Sequence, residues 1–146
     1  MHNIGIGENI AVESDLDQLS VLLQRLTGDP LRMLSAKELQ RVLRSSFLIT
    51  GFDEHSGLTV GMMTLIPSIQ PNGYFGNIED VCILKDYEGR GIFSKMFKLT
   101  CDIGRREKMT KLRLTSNDSR ERARASYKHL GFTYHGETGK FTMPLT

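Results

Sequence analysis

Residues 78–106 join a strand to a long helix through a turn that contains two glycines. Residues 78–84 (IEDVCIL) are rich in aliphatic side chains, which is typical of a strand. The helix is predicted by apolar residues spaced i, i+4, i+7 and i+11, namely Ile92, Met96, Leu99 and Ile103. A chain with this segment places a helix against a sheet, so the segment predicts an α/β protein.

The turn itself, residues 87–94, reads YEGRGIFS. Glycines at the N-terminus of a helix leave backbone N–H groups free to bind an anion. Two specific phosphate-binding motifs are excluded, because GxxxxGK followed by Ser or Thr is absent and Ser94 replaces the last glycine of GxGxxG. The turn alone therefore leaves two interpretations open, a generic anion site and a plain connection.

The rest of the chain predicts one domain, residues 1–146, with helices on a mixed sheet. The predicted order is β-α-α-β-β-β-α-β-α-β-β, which is not a regular βαβ array. Strands are predicted at 8–13, 46–52, 59–68, 78–84, 110–115, 132–135 and 140–145. Helices are predicted from Ser14, from Ser35, over 92–106 and over 119–130.

Local signals set several boundaries of these elements. Ser14 and Ser35 each begin a capping-box pattern, with an acidic residue three positions later. Gly28 is expected to end the first helix, and residues 53–57 are expected to form a hairpin turn. Residues 69–77 (IQPNGYFGN) are rich in turn-forming residues and predict a loop.

Composition excludes several classes of protein. No apolar run approaches the roughly 20 residues that span a bilayer, and the N-terminus lacks the basic and apolar blocks of a secretory signal. We therefore expect a cytoplasmic protein that does not enter a membrane. Cys82 and Cys101 have no CxxC spacing and no nearby histidine pair, so we expect buried free thiols and no metal site.

Charge is distributed unevenly along the chain. Residues 1–84 carry five Lys or Arg and ten Asp or Glu, whereas residues 85–146 carry fourteen and seven. Solvated helix faces would explain this, and so would an anionic ligand at the basic half with a cationic partner at the acidic half. Nucleic acid is not expected as a partner, because acids are interleaved with the basic residues and aromatics are few there.

Two segments give the chain a resemblance to a known family. IEDVCILKDYEGRGIFSKMF, with ARASYKHLGF further along, resembles the GNAT superfamily of acyl-CoA-dependent N-acetyltransferases. The predicted order of elements also matches the GNAT fold. IEDV is similar to glucosamine-6-phosphate N-acetyltransferases, and TSNDSRERA to uncharacterised bacterial members. The residues that match the family's two motifs are Gly91 in the turn and Ala123, Tyr127, Gly131 and Phe132 on the last helix.

The resemblance implies acetyl-CoA as the cofactor. Backbone N–H groups of the turn would bind its pyrophosphate, and a splayed strand end would hydrogen-bond its pantetheine arm. The turn residues are Glu88, Gly89, Arg90, Gly91, Ile92, Phe93 and Ser94, and the strand residues are Val81, Cys82 and Ile83. Arg120, in the basic half, is a further candidate for contact with the cofactor phosphates.

The resemblance also implies direct attack of an amine on the thioester, with Tyr127 protonating the departing thiolate. Glu79 and Asp80 are the candidates for the base that accepts the ammonium proton. Because neighbouring strand residues point to opposite faces, at most one is expected to face the cleft unless a bulge intervenes. Glu79 is favoured, and a purely structural role for both carboxylates is the alternative.

Two residues of the turn depart from the family pattern. Glu88 stands at a Gln or Arg position. A carboxylate about 5 Å from a phosphate costs roughly 0.8 kcal/mol at the dielectric constant of water and about 3 kcal/mol at an effective value of 20. Phe93 stands at a Gly or Ala position, where its ring either packs in the core or blocks the approach of a phosphate. Both departures concern cofactor binding.

Two functions follow from these observations. The first is an N-acetyltransferase that acts on a primary amine of a small molecule or a peptide. The second is a catalytically weak GNAT-fold module that binds acyl-CoA or regulates a partner. The resemblance further implies a homodimer, and the acidic N-terminal half suits a cationic amine acceptor.

Overall fold

A computed structural model describes residues 3–114, 125, 127–132 and 143. The chain divides into two units, Met1–Leu114 and Thr115–Thr146, and each is described by itself. The strands of the first unit are β1 (Ile4–Glu8), β2 (Phe47–Asp53), β3 (Thr59–Gln70), β4 (Gly73–Ile83) and β5 (Lys111–Leu114). Its helices are α1 (Leu16–Thr27), α2 (Ala36–Ser45) and α3 (Ile92–Arg106), with single 3₁₀ turns at Glu13–Asp15 and Lys85–Tyr87.

The strands form one mixed sheet in the order β1-β2-β3-β4-β5. β1 to β4 pair antiparallel in chain order. β4 and β5 are parallel, and α3 makes the crossover that a parallel pair requires. The predicted class, a mixed sheet with helices, is confirmed.

One face of the sheet is covered by α1 and α2. Leu19 and Leu22 of α1 and Leu39 of α2 are buried there. They pack in one cluster with strand side chains that include Met62 of β3 and Cys82 of β4. Because cross-strand partners point to the same face, Met62 and Cys82 mark the α1–α2 face of the sheet.

The other face of the sheet is covered by α3. Gly51 of β2 and Gly61 of β3 present no side chain to this helix, which therefore packs close to the backbone of the two strands. A Cβ on Gly51 would lie 3.2 Å from Ile92 Cγ2, and one on Gly61 would lie 3.4 Å from Met96 Cε. The predicted apolar face of this helix is confirmed at Ile92, Met96 and Ile103, which are fully buried, whereas Leu99 is only half-buried.

Two predicted helix boundaries are confirmed by their hydrogen bonds. Ser35 Oγ accepts the Glu38 N–H at 3.1 Å, and Glu38 Oε1 accepts the Ser35 N–H at 3.1 Å, which forms a capping box. This pairing lowers the pKa of Glu38. Gly28 ends α1 in the left-handed conformation, with φ 73°, and its N–H bonds to Gln24 O.

The predicted cap of the first helix is wrong. Ser14 lies inside the 3₁₀ turn Glu13–Asp15, which leads directly into α1 at Leu16. The carboxylate of Asp15 accepts the Val12 N–H at 2.8 Å. The Asp15 carboxylate therefore accepts the backbone N–H just before the helix, and Ser14 does not cap the helix.

The first strand lies earlier than predicted. Residues 9–13 do not form a strand, and β1 covers Ile4–Glu8 instead. Asn9 ends β1 with a φ of 51°, and its backbone N–H and its side-chain oxygen both bond to Leu48 on β2. Glycine is rare in strands, yet Gly5 is required here, because a Cβ on it would lie 2.3 Å from the Phe52 ring.

Residues 69–77, predicted as a loop, form the end of a long hairpin. Only Pro71 and Asn72 connect β3 to β4, whose pairing continues to the residues on either side of them. Ile69 pairs with Tyr74 across the strands. The paired strands therefore extend to Gln70 and Gly73, and only Pro71 and Asn72 of this segment form the turn.

The remaining predictions for the first unit agree with the structure to within a few residues, except that β4 begins earlier, at Gly73. The predicted hairpin turn at residues 53–57 is confirmed, since the Gly57 N–H bonds to Asp53 O at 2.7 Å. None of the helices in the described part of the chain is long and apolar enough to cross a membrane.

In the second unit, Tyr127–His129 are helical and a turn follows at residues 130 and 131. This agrees with the predicted end of the helix at Gly131. Most of the predicted helix 119–130 and of the predicted strands 132–135 and 140–145 lies outside the described residues.

Candidate functional site

A bulge interrupts the pairing of β3 with β4. Met62 pairs with Cys82 and Thr64 pairs with Glu79, so Met63 alone faces the two residues Asp80 and Val81. Asp80 has a φ of 53°, a left-handed conformation typical of the first residue of one bulge type. A bulge, which the sequence left as a possibility, is therefore present at Asp80 and Val81, directly after Glu79.

The bulge decides which way Glu79 points. Thr64 lies two residues from Met62 and so shares its face of the sheet, the α1–α2 face. Glu79, the partner of Thr64, points to the same face. Glu79 and Asp80 are both exposed to solvent.

The end of β4 is open on its second edge. Pairing with β5 runs from Phe75 to Ile78, and residues 79–83 have no partner on the part of β5 that the structure describes. The Leu84 N–H bonds to Val60 O on β3, at 2.9 Å. Because the C=O and N–H of one trans peptide group point in opposite directions, the carbonyl of Ile83 points away from β3, toward the open edge.

The glycine turn leads into α3 with an open backbone. Gly89 and Gly91 have φ angles of 74° and 75°, and a Cβ on either would meet nothing within 4 Å. The Lys95 N–H makes the first helical bond, to Gly91 O at 3.2 Å. The N–H groups of the first turn thus have no carbonyl acceptor within the helix, which is the arrangement that binds anions.

Phe93 and Glu88, the two residues that depart from the family pattern, have side chains directed away from this backbone. The Phe93 ring stacks on the Phe97 ring one helical turn further along, with centroids 6.1 Å apart and planes at 5°. Phe93 is half-buried in that contact. The Glu88 carboxylate pairs with the guanidinium of Arg25, which lies in the last turn of α1.

Arg25 is the residue that sequence reasoning missed. Besides binding Glu88, its Nε donates a hydrogen bond to Ile83 O at 2.9 Å. It lies 58 residues before Ile83 in the sequence, and no motif or spacing connects the two. Only the packing of α1 against β4 brings them together.

Tyr87 holds the other side of the turn. Its hydroxyl donates to Asp53 Oδ2 at 2.9 Å, at the end of β2. Asp53 is buried and also accepts the His55 N–H at 2.9 Å. The hydrogen bond to Asp53 raises the pKa of Tyr87. Arg90 lies over the Tyr87 ring, with its guanidinium carbon 4.8 Å from the centroid.

Both cysteines are free thiols. Cys82 is buried as predicted, whereas Cys101 is only half-buried. Burial raises the pKa of both, so they are protonated at neutral pH. Among the described residues, no group of three or more His, Cys, Asp and Glu could hold a metal ion.

Tyr127 lies at a helix end in the second unit. The Phe132 N–H bonds to Tyr127 O at 3.0 Å and the Gly131 N–H bonds to Lys128 O at 3.1 Å, which is the Schellman arrangement. Gly131 has a φ of 104°, and the Tyr127 and Phe132 rings meet edge to face with centroids 6.2 Å apart. Arg120, the remaining predicted site residue, lies outside the described residues.

Comparison with known protein families identifies the class of this protein. The model of the Acetyltransferase (GNAT) family matches residues 17–132. Since this match covers most of the chain, the chain belongs to the GNAT acetyltransferase family, whose members catalyse acyl transfer. A comparison with curated proteins finds no match.

Solved structures share the fold over nearly the whole chain. An acetyltransferase from Trypanosoma brucei is 24% identical with a TM-score of 0.79, over 97% of this chain and 100% of that one. Glucosamine-6-phosphate N-acetyltransferase from Arabidopsis thaliana is 17% identical with a TM-score of 0.78, over 99% of each chain. An aminoglycoside acetyltransferase from an uncultured soil metagenomic sample, in complex with sisomicin, is 16% identical with a TM-score of 0.82. The match covers 98% of this chain and 97% of that one.

We predict that Tyr87→Phe lowers the midpoint of thermal unfolding by several degrees at pH 7, because the buried Asp53 carboxylate loses a donor. The folded-state pKa of Tyr87 is raised, so this stabilisation is complete below its ordinary value of 10.0 and is lost as the pH rises through the raised value. Calorimetry of the wild type and the variant should find that their unfolding midpoints become more similar above pH 10. A difference in midpoint that stays constant with pH would show that the Tyr87–Asp53 hydrogen bond is not its cause.

Proposed function

We propose that this protein transfers an acetyl group from acetyl-CoA to a primary amine of a small molecule or a peptide. The observation that carries the proposal is the start of α3, where two left-handed glycines leave an open backbone directly after the bulged strand. Membership of the GNAT family gives the general reaction, acyl transfer. The cofactor and the acceptor are the parts we add.

The residues of this chain fit acetyl-CoA in two places. The N–H groups from Gly89 to Ser94 would hold the pyrophosphate, at the positive end of the α3 dipole. Backbone groups from Val81 to Ile83 would hold the pantetheine arm along the open edge of β4. Bound there, the cofactor would supply an acetyl thioester activated toward attack by an amine. Arg120 would add a cation for the phosphates.

Glu79 would accept a proton from the ammonium group of the acceptor, which frees the amine lone pair to attack the thioester carbon. It is exposed, and the bulge turns it to the face that α1 and α2 cover. The general base of such a reaction must lie within hydrogen-bond reach of the amine, directly or through one water. Asp80, in the left-handed position of the bulge, would set the direction of Glu79 and attract a cationic acceptor.

Tyr127 would protonate the thiolate that leaves. Its hydroxyl is a donor at neutral pH, since a phenol has a pKa near 10. The Schellman turn and the contact with Phe132 fix the backbone and ring of Tyr127. A donor with few accessible positions is well suited to general acid catalysis.

The acceptor would be a cationic amine. The first 84 residues carry twice as many acids as bases, and they include both helices on the Glu79 face. Two of the structures with this fold are of enzymes whose substrates carry amines. One is an aminoglycoside acetyltransferase and the other is glucosamine-6-phosphate N-acetyltransferase. These likenesses favour an amino sugar as the first acceptor to examine.

The proposal is tested first by titrating the full chain with acetyl-CoA in a calorimeter, and then by assaying a panel of amino sugars, polyamines and peptide amines. Loss of thioester absorbance is the preferred readout, because a thiol reagent would also have access to the partly exposed Cys101. Saturable binding with turnover of an amine is expected. Absence of binding at millimolar acetyl-CoA would refute the proposal, and binding without turnover would favour a regulatory acyl-CoA-binding module.

A cytoplasmic location and a homodimer are also proposed, from the composition and the family resemblance. Cell fractionation and light scattering of the purified chain test them. A mass of 16.5 kDa in solution at micromolar concentration would contradict the dimer.

Gly89→Ala should weaken the proposed cofactor site. An alanine held at a positive φ costs about 1–2 kcal/mol, and a shift of the turn displaces its N–H groups. Gly28→Ala is the matched control, since Gly28 has a φ of 73°, equally open surroundings and a place at the end of α1. We expect similar losses of stability, with KM for acetyl-CoA raised about tenfold in Gly89→Ala alone. Equal KM values in the two variants would contradict this.

Glu79→Gln should lower kcat about a hundredfold, the usual scale of general base catalysis. The loss should be largest at low pH, where the acceptor is an ammonium ion, and should shrink as the pH approaches the pKa of the acceptor. Glu54→Gln, an exposed carboxylate in the β2–β3 turn, is the control and should leave kcat unchanged. A pH–rate profile of Glu79→Gln that parallels the wild type would exclude Glu79 as the base.

Tyr127→Phe separates catalysis from packing. The substitution keeps the ring that contacts Phe132 and removes only the hydroxyl. We expect a kcat lower by about ten- to a hundredfold, because the thiolate then leaves without its acid. Circular dichroism of the variant checks that it is folded. Full activity in this variant would show that Tyr127 serves the helix end only.

A further inference from the structure

Arg25 connects three parts of the first unit through a single side chain. It belongs to α1, its Nε donates to the carbonyl of Ile83 at the end of β4, and its Nη2 donates to the carboxylate of Glu88 in the glycine turn. A planar guanidinium can make both bonds at once, because its donors point in fixed, different directions. A lysine has one nitrogen and would not span the two acceptors.

The bond to Ile83 holds the guanidinium in place. Arg25 and Glu88 have 38% and 56% of their side chains exposed, and ion pairs this exposed add little to stability. The carbonyl of Ile83 lies on the open edge of β4 and keeps a second lone pair for another donor.

The ion pair between Arg25 and Glu88 affects anion binding because Glu88 carries a negative charge. Glu88 immediately precedes Gly89, at the start of the open backbone that leads into α3. A free carboxylate there repels an anion bound by the same backbone. Paired with Arg25, the carboxylate is directed toward α1 and its charge is compensated.

We propose that Arg25 is a positioning residue for anion binding at the start of α3: it draws the Glu88 carboxylate aside and cancels its charge, so that the glycine turn accepts a pyrophosphate. The anion is the pyrophosphate of acetyl-CoA, so this inference rests on the proposed function. It also explains how a chain with glutamate at this position retains an anion site.

The test measures KM and kcat with acetyl-CoA, and dissociation constants of coenzyme A and inorganic pyrophosphate by calorimetry, in the full chain. Arg25→Gln should raise KM and both dissociation constants about 5- to 50-fold, the effect of one unmasked charge at close range, and leave kcat within about twofold. Glu88→Gln should bind at least as tightly as the wild type. The double variant Arg25→Gln with Glu88→Gln should recover most of the loss.

Two further variants separate charge from structure. Arg25→Lys retains the positive charge but has one nitrogen, which cannot bond to both Ile83 and Glu88. Its affinity for coenzyme A should therefore lie between those of Arg25→Gln and the wild type. Arg106→Gln breaks a comparably exposed pair with Glu8 at the far end of α3 and should leave the affinity for coenzyme A unchanged. The effect of Arg25→Gln should shrink in high salt, because exposed charges are screened.

The outcomes distinguish this inference from the proposed function. Wild-type affinity in Arg25→Gln, or no recovery in the double variant, overturns the role of Arg25 while leaving the acetyltransferase proposal intact. Pyrophosphate binding that depends on Arg25, in a chain that does not turn over acetyl-CoA, supports the role of Arg25 and overturns the acetyltransferase proposal. A wild-type chain that binds neither ligand overturns both.

Discussion

The extra residue in β4 is the constraint on which the rest of the first unit depends. Along a strand the side chains alternate between faces, so one inserted residue exchanges the faces of everything beyond it. Before the bulge, Gly76 faces the α3 side, where a Cβ on it would lie 2.8 Å from Leu112. After the bulge, Ile83 faces α3 and Cys82 joins the α1–α2 core. A regular strand would have exchanged those two side chains between the two cores.

The glycine turn that follows β4 is held from both sides by contacts between distant residues. Tyr87 is bonded to Asp53 on β2, and Glu88 is bonded to Arg25 on α1. Between these contacts and the first helical bond, the backbone has two left-handed glycines and open surroundings. Two neighbouring side chains thus hold the start of the turn from opposite sides, while its N–H groups stay available, which a binding site built on backbone requires.

How far the sequence predicted the fold depended on the distance over which each signal acts. The capping box of α2 and the left-handed Gly28 involve bonds within four residues, and both were predicted. β1 was missed because the glycine at position 5 is there for the Phe52 ring on another strand. The end of the β3–β4 hairpin was missed because the composition of residues 69–77 predicts a loop, whereas the two paired strands extend to Gln70 and Gly73.

The sequence by itself determined the helix α3, the two glycines before it and the helix end at Tyr127, together with the family that these motifs resemble. Bonds and periodicities inside a single segment specify all of these. The tertiary structure decided that Glu79 shares a face with Cys82 and that Glu88 is paired. The first follows from the register between two strands, and the second from an arginine 63 residues away, so neither can be derived from any one segment. The residues closest to the proposed chemistry are therefore oriented by packing, although their identities are evident from the sequence.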